Sequence, residues 1–384
     1  MSAELCHLDW NATTPLREQA AEAMRRVERD GWGNPASAHS VGRAARRFLE
    51  DARDRVAARL GADPSEVAFT SGATESNNLA VFGACDKLPA GSHLLAAEFE
   101  HPCIVEPIRT LMKTRGHRWG VLPVGLDGLV PFAAIEAQAS DEAAGFMAIM
   151  MVNHETGAIQ PVRRVAKVFG KRLHVHTDAA QAVGKLAVDF HDLGVHTLTA
   201  SGHKFGGPKG IGVLLTRTGV SLAPRTLGGH QQQGRRPGTE SPALAVGFAV
   251  AMDASITEFT ATIQTLQETR RAFFTLLEHN SGPVFLNGNW DDSIPTTLNL
   301  SFPGCRADML LMKLDLAGIA CSTGSACSSG SLTPSTVLQA MSLPDDLLRS
   351  ALRFSFGASQ SKETLLAAAS RIAAIVNHTR RALP

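Results

Sequence analysis

The 384-residue chain is 44% hydrophobic and 19% charged, and its 37 basic and 36 acidic side chains leave a formal net charge of +1. Such a composition belongs to a folded chain of two or three domains; it excludes disorder and gives no support to a nucleic-acid-binding surface. No continuous apolar run reaches the ~18–20 residues that cross a bilayer, and the start MSAELCHLDW lacks the pattern of a signal peptide. Six cysteines, none in a CxxC pair, suit neither a disulfide scaffold nor a zinc ribbon. The expected setting is therefore a reducing cytoplasm with no membrane and no nucleic acid as partners, and the sequons at Asn11, Asn299 and Asn377 are chance matches.

In chain order, residues 16–30 and 42–60 read as helices rich in Ala, Arg and Glu. A short strand at 66–70 runs into the turn-like SGATES and then a helix over 75–87. Strands follow at 93–98 and 146–152, the second a continuous apolar run that predicts burial on both faces. Further strands are expected at 173–178, 196–201 and 210–216. Strands alternating with helices predict an α/β fold with a mainly parallel sheet, whose ligands gather at the carboxyl ends of the strands. Residues 228–241 are the most linker-like segment. Near residue 255 the texture changes to a helix over 255–280 and strands at 296–302 and 351–357. A Ser/Gly-rich loop at 322–331 separates those strands, so a second, smaller α+β domain is expected.

Three short motifs could carry chemistry. Lys204 follows a strand and precedes a Gly/Pro-rich turn, a place for an amine that holds a carbonyl cofactor, or for an ordinary surface charge. Asp178 ends a buried strand, where a carboxylate could pair with a pyridinium nitrogen or simply cap the next helix. Thr70–Glu75 joins a strand to a helix through small residues, as a phosphate-binding turn or a normal capped one. In the order phosphate turn, Asp, Lys they match the three needs of pyridoxal 5′-phosphate (PLP). No P-loop is present.

Over nearly its full length the chain resembles the cysteine desulfurases, class V enzymes among the fold-type I PLP proteins. The resemblance rests on residues 8–15, Gly33-Asn34-Pro35, Phe69 to Asn77, Glu100-His101 and Val152 to Gly157. It continues in Ser201-Gly202-His203-Lys204, Arg236-Pro237-Gly238-Thr239, Gly324-Ser325-Ala326-Cys327 and Arg353-Phe354-Ser355. It implies the long-loop group, with residues 16–254 as a large PLP-binding domain and residues 1–15 and 255–384 as a small domain carrying the Cys327 loop. It also implies roles. Lys204 would hold the cofactor as a Schiff base and remove the substrate Cα proton. Asp178 would pair with the ring nitrogen, His101 would stack on the ring and shuttle protons, Gln181 would contact its 3′ oxygen, and Asn153 would lie beside it. The Ala73 backbone, Thr74, Ser201 and His203 would hold the phosphate, joined by Thr239 from the neighbour in a homodimer. Asn34 and Arg353 would bind the carboxylate of L-cysteine. Cys327 would take the sulfur as a persulfide and pass it to a protein acceptor for iron–sulfur or thio-cofactor assembly.

Cys327 sits in a Ser/Gly run unsuited to a core, whereas Cys6, Cys85, Cys103, Cys305 and Cys321 read as small buried hydrophobes. Cys321 and Cys327 lack clustered His or carboxylates, so no metal is expected. Two departures stand out: His154 replaces the family's usual second Asn, and few residues follow the last helix, where other members carry a tail that helps dock an iron–sulfur scaffold. The alternatives are a selenocysteine lyase or another class V transaminase, and more remotely a non-catalytic sulfur-relay adaptor.

Overall fold

In the computed structural model, which describes residues 5–324 and 334–381, the alternation of short apolar strands and helices resolves into layers. The strands are β1 (Cys6–His7), β2 (Val67–Thr70), β3 (His93–Ala97), β4 (Arg118–Leu122), β5 (Ala144–Ala148), β6 (His174–Asp178), β7 (Thr197–Ser201) and β8 (Gly212–Thr216). They continue with β9 (Phe285–Leu286), β10 (Thr297–Ser301), β11 (Ile319–Ala320) and β12 (Ala351–Ser355). Seven of them form a central sheet in the order β2-β8-β7-β6-β5-β3-β4. Only β8 runs against its neighbours. The sheet is therefore mainly parallel, as expected.

Alternation along each strand explains the burial on both faces. Leu94, Ala96, Phe146 and Ala148 pack with Ile104, Ile108 and Leu111 of the helix Pro102–Arg115 and Val81 of the helix Ala73–Cys85. Leu95, Ala97, Met147, Val175 and Leu198 point the other way, into a larger cluster with Leu49, Val56 and Phe248. The apolar run 146–152 holds only a short strand. Beyond Ala148 the chain leaves the ladder, yet the Ile149 and Met151 amides still donate to the carbonyls of His176 and Asp178. The edge strand β4 and the helix Pro102–Arg115 had no counterpart among the expected elements. Arg118 and Val121 of β4 are exposed, which breaks the apolar signal of that edge.

The helix expected at 255–280 starts earlier, at Pro242, and runs to Ser281. Ser241 caps it by accepting from the Leu244 amide, and Pro242 at the first turn needs no donor of its own. Ala245, Phe248 and Met252 of this helix join the large cluster, while Phe273 and Leu277 join a second one built on β10, β12 and the helix Lys362–Arg381. The change of texture at 255 thus falls inside one continuous helix. Its length and apolar content would suffice to cross a membrane, but half of its most apolar stretch is buried in the protein. β1 pairs in parallel with β11, which places Cys6 and Leu8 in the second cluster.

Candidate active site

A cavity of about 660 Å³ opens at the carboxyl ends of β2, β6 and β7. Ala73, Thr74, His101, Asp178, Gln181, Ser201, His203, Lys204 and Arg353 line it, together with the N-terminal segment Asn11–Thr13.

One end is built from the turn between β2 and the helix Ala73–Cys85. Gly72 adopts φ 154°, a conformation that favours glycine, and no side chain caps the helix. Glu75 is turned aside: its carboxylate accepts from the Ser71 amide at 2.6 Å and pairs with Arg236 at 2.9 Å. Burial opposes the Glu75 charge, but these partners hold its carboxyl below the ordinary value. The positive end of the helix therefore faces the cavity beside Ser201, Thr74 and His203, a donor set suited to a phosphate. Burial lowers His203 to about 4, so its ring is neutral near pH 7, and its Nδ1 lies 3.1 Å from Thr13 Oγ1.

Asp178 and Lys204 line the same cavity. Asp178 Oδ1 accepts from the Ala180 amide at 2.9 Å and Oδ2 from Asn77 at 2.6 Å. Lys204 Nζ donates to the carbonyls of Asn11 and Ala12 at 2.7 and 3.0 Å. Gln181 donates to the Asn11 carbonyl and accepts from Lys185, whose ammonium also meets Asn11 Oδ1 at 2.9 Å. Burial, with help from Lys204 and Arg353, lowers Lys185 to about 7. His101 caps the helix Pro102–Arg115: its Nδ1 accepts from the Cys103 amide at 3.2 Å and lies 2.9 Å from Cys103 Sγ. Nδ1 is thereby an acceptor, and the ring proton of neutral His101 sits on Nε2. Burial lowers the His101 pKa, with Asp178 opposing and Lys204 assisting.

Arg353 is buried, with Nη2 on Asp9 at 2.6 Å and Nη1 on the His154 carbonyl at 3.0 Å. Its Nε and His154 Nδ1 are buried without a hydrogen-bond partner among the described residues. A buried unsatisfied donor costs free energy until a ligand meets it. His154 is held neutral, first by burial and then by His101 and Arg353, and packs edge-on against His101 at 5.9 Å.

Three expected site residues do not join the cavity within one chain. Asn153 is buried, but its Oδ1 accepts from the amides of Glu155 and Thr156 and so closes its own turn; its neighbours Val152 and His154 reach the cavity instead. Asn34 and Thr239 lie together in a separate depression of about 310 Å³ beside exposed Trp32. Cys327 lies outside the described residues, although Gly324, three positions before it, lines the cavity. Gly324 adopts φ 89° against Glu155, where a Cβ would come within 2.2 Å of the carboxylate, and Ser335, just past the loop, donates to the same carboxylate at 2.6 Å. The sequence alone assigns no site role to Asn11, Thr13, Asn77, Cys103, Glu155 or Lys185. The motifs over 8–15, 69–77 and 152–157 contain four of them, but only the fold shows what each touches.

The uncapped helix end, the strand-end carboxylate and the amine lining one cavity fit PLP. The class-V aminotransferase family model matches residues 6–367. The chain is 38% identical over 362 residues to the cysteine desulfurase IscS of Dictyoglomus turgidum, covering 94% of this chain and 91% of that protein. It is also 38% identical over 387 residues to an IscS-like cysteine desulfurase of Mycobacterium tuberculosis, covering 98% of each. A solved NifS-like protein superposes with a TM-score of 0.90 at 32% identity, covering 97% of this chain and all of that one. SspA, solved in complex with cysteine, gives 0.81 at 32% identity, covering 93% and 100%. With a family match over most of the chain added to a cavity suited to PLP, the chain belongs to the class V aminotransferase family and, within it, to the PLP-dependent cysteine desulfurases.

Proposed function

We propose that this desulfurase transfers sulfur from L-cysteine to the thiol of Cys327, releasing L-alanine, and that it works as a homodimer. The observation that carries the reading is the convergence of Lys204, Asp178 and the uncapped helix end on a cavity edged by Gly324, where the Cys327 segment begins. Bound PLP supplies an electron sink for the carbanion formed at the substrate Cα.

The protein supplies the rest. Arg353 receives the substrate carboxylate through its guanidinium, whose buried Nε awaits an acceptor. Lys204 Nζ, aimed by two backbone carbonyls, takes the Cα proton and later returns it. His101, neutral and donating from Nε2, stands beside the ring site as the further proton carrier. The Cys327 thiolate attacks the substrate sulfur; the C–S bond breaks with its electron pair on the alanine carbon, and Cys327 keeps the sulfur as a persulfide. That carbon then takes a proton. A protein acceptor serving iron–sulfur or thio-cofactor assembly would remove the sulfur in the cytoplasm, where thiols stay reduced.

The homodimer is supported by Thr239 and Asn34, which share an exposed depression outside their own chain's cavity, next to exposed Trp32. Incubation of the PLP-loaded protein with L-cysteine, assaying alanine and sulfide together, tests the activity. Absence of both products under reducing conditions refutes it. Mass spectrometry for one added sulfur on Cys327 and sedimentation for the dimer test the finer claims.

A further inference from the structure

β6 places His174, His176 and Asp178 at alternate positions, so the three side chains share one face of the sheet. The helix Ala73–Cys85 covers that face and presents Asn77. The two N–H groups of the Asn77 amide are both committed, one to Asp178 Oδ2 at 2.6 Å and one to Cys103 Sγ at 3.0 Å. Its Oδ1 therefore faces His176 Nε2, 2.9 Å away, and the imidazole must donate there. The other nitrogen, His176 Nδ1, lies 2.9 Å from the hydroxyl of Thr197 on β7. His174 Nε2 lies 3.0 Å from that same hydroxyl. A neutral His176 accepts from Thr197, and Thr197 in turn accepts from His174. Each proton along this chain is thus directed towards Asp178. The outer end is a stack of His174 on His196, centroids 5.0 Å apart, with His196 Nδ1 fixed by the Val175 amide at 3.1 Å. Burial keeps His176 uncharged by lowering it to about 3, and it also keeps His174 uncharged.

We propose that Asn77, His176, Thr197 and His174 form a one-way hydrogen-bond relay that presents Asp178 as an oriented acceptor for the ring nitrogen of the cofactor. These four are positioning residues, acting through Asp178, and the proposal rests on the PLP reading above. Polarity is what matters here. A reversed Asn77 amide would set its oxygen against the Asp178 carboxylate; the orientation that avoids this fixes the His176 tautomer, and the Thr197 hydroxyl satisfies the Nδ1 that this tautomer leaves bare.

Two measurements test the relay. In unloaded protein with ¹⁵N-labelled histidine, NMR at neutral pH should show His176 protonated on Nε2 and bare on Nδ1. An Nδ1–H tautomer or an imidazolium would overturn the relay whether or not PLP binds. In PLP-loaded protein, Thr197→Val keeps the side-chain shape and removes the hydroxyl, whereas Thr197→Ser keeps the hydroxyl. The Val variant should weaken PLP binding roughly tenfold by fluorescence titration and move the pH midpoint of the bound-cofactor absorbance by about one unit. The Ser variant should stay near the parent in both. A Val variant indistinguishable from the parent, or a Ser variant as impaired as Val, would refute the relay. Failure of the parent itself to bind PLP would refute the functional reading instead.

Discussion

Gly212→Ala separates the geometry of the phosphate turn from the stability of the sheet. Gly212 opens β8, and a Cβ placed on it would lie 2.7 Å from the Gly72 Cα and 2.7 Å from the Ala200 carbonyl oxygen. Both are backbone atoms, so neither can swing away as a side-chain tip would. Ordinary contact begins at 3.4 Å, so the turn must retreat by about 0.7 Å (3.4 − 2.7). Overpacking of this kind costs about 1–3 kcal/mol. The displaced atoms are those that start the helix at Ala73, so the amides offered to a phosphate move with them. Misplacing several charge-assisted hydrogen bonds should weaken PLP binding by roughly tenfold to a hundredfold. Gly219→Ala is the comparison: its φ of 87° makes alanine strained, yet nothing lies within 4 Å of its Cβ and it does not line the cavity. That variant should lose about 1 kcal/mol in urea unfolding and bind PLP normally. The assays are urea denaturation and fluorescence titration with PLP. A Gly212→Ala protein with the parent's cofactor affinity would show that the turn at Gly72 does not hold the phosphate, and the reasoning would fail.

Other outcomes follow from the same structure. Lys204→Ala should abolish borohydride-fixed cofactor and turnover, and retention of both would refute the assignment of that amine. Cys327→Ser should still bind L-cysteine and change the spectrum of the loaded enzyme, but form no persulfide and bring alanine production to background; Cys321→Ser should spare persulfide formation, since burial pushes the Cys321 thiol up to about 12 and leaves it unreactive. Stability should be greatest between about pH 4.5 and 6.5, where two opposing effects overlap. His176 and His203, lowered to about 3 and about 4, bind protons more readily when unfolded, so stability drops as the pH falls below about 6.5. Glu100 and Glu155, raised to about 8 and about 7, keep their protons longer when folded, so stability drops as the pH rises from about 4.5 to about 8. Thermal melts across pH should show this maximum, and Glu155→Gln should flatten the decline between about 4.5 and 7; an unchanged decline would mean that Glu155 does not titrate there.

The sequence by itself was enough for the mainly parallel α/β architecture, because apolar runs such as FMAIM can be buried on both faces only inside a covered sheet. It was also enough for the order of phosphate turn, Asp178 and Lys204, because each follows the carboxyl end of a strand, where loops converge. His174, His176 and Asp178 alternate in plain view along one strand, yet alternation alone does not say which helix covers that face. That Asn77 meets both His176 and Asp178 is a long-range fact, set by how the helix Ala73–Cys85 crosses β6. Likewise Asn11 gathers Lys185, Gln181 and Lys204 only because β1 pairs with β11, more than 300 residues along the chain, and draws the N-terminal segment over the cavity. Asn153 shows the converse. Its type and position suited a ring contact, and two amides in its own turn, by taking its oxygen, set which way its side chain faces. Local spacing determines which strand end or helix turn a residue occupies; the partner it finds there depends on desolvated polar groups competing across the packed layers, and tertiary structure alone decides that competition.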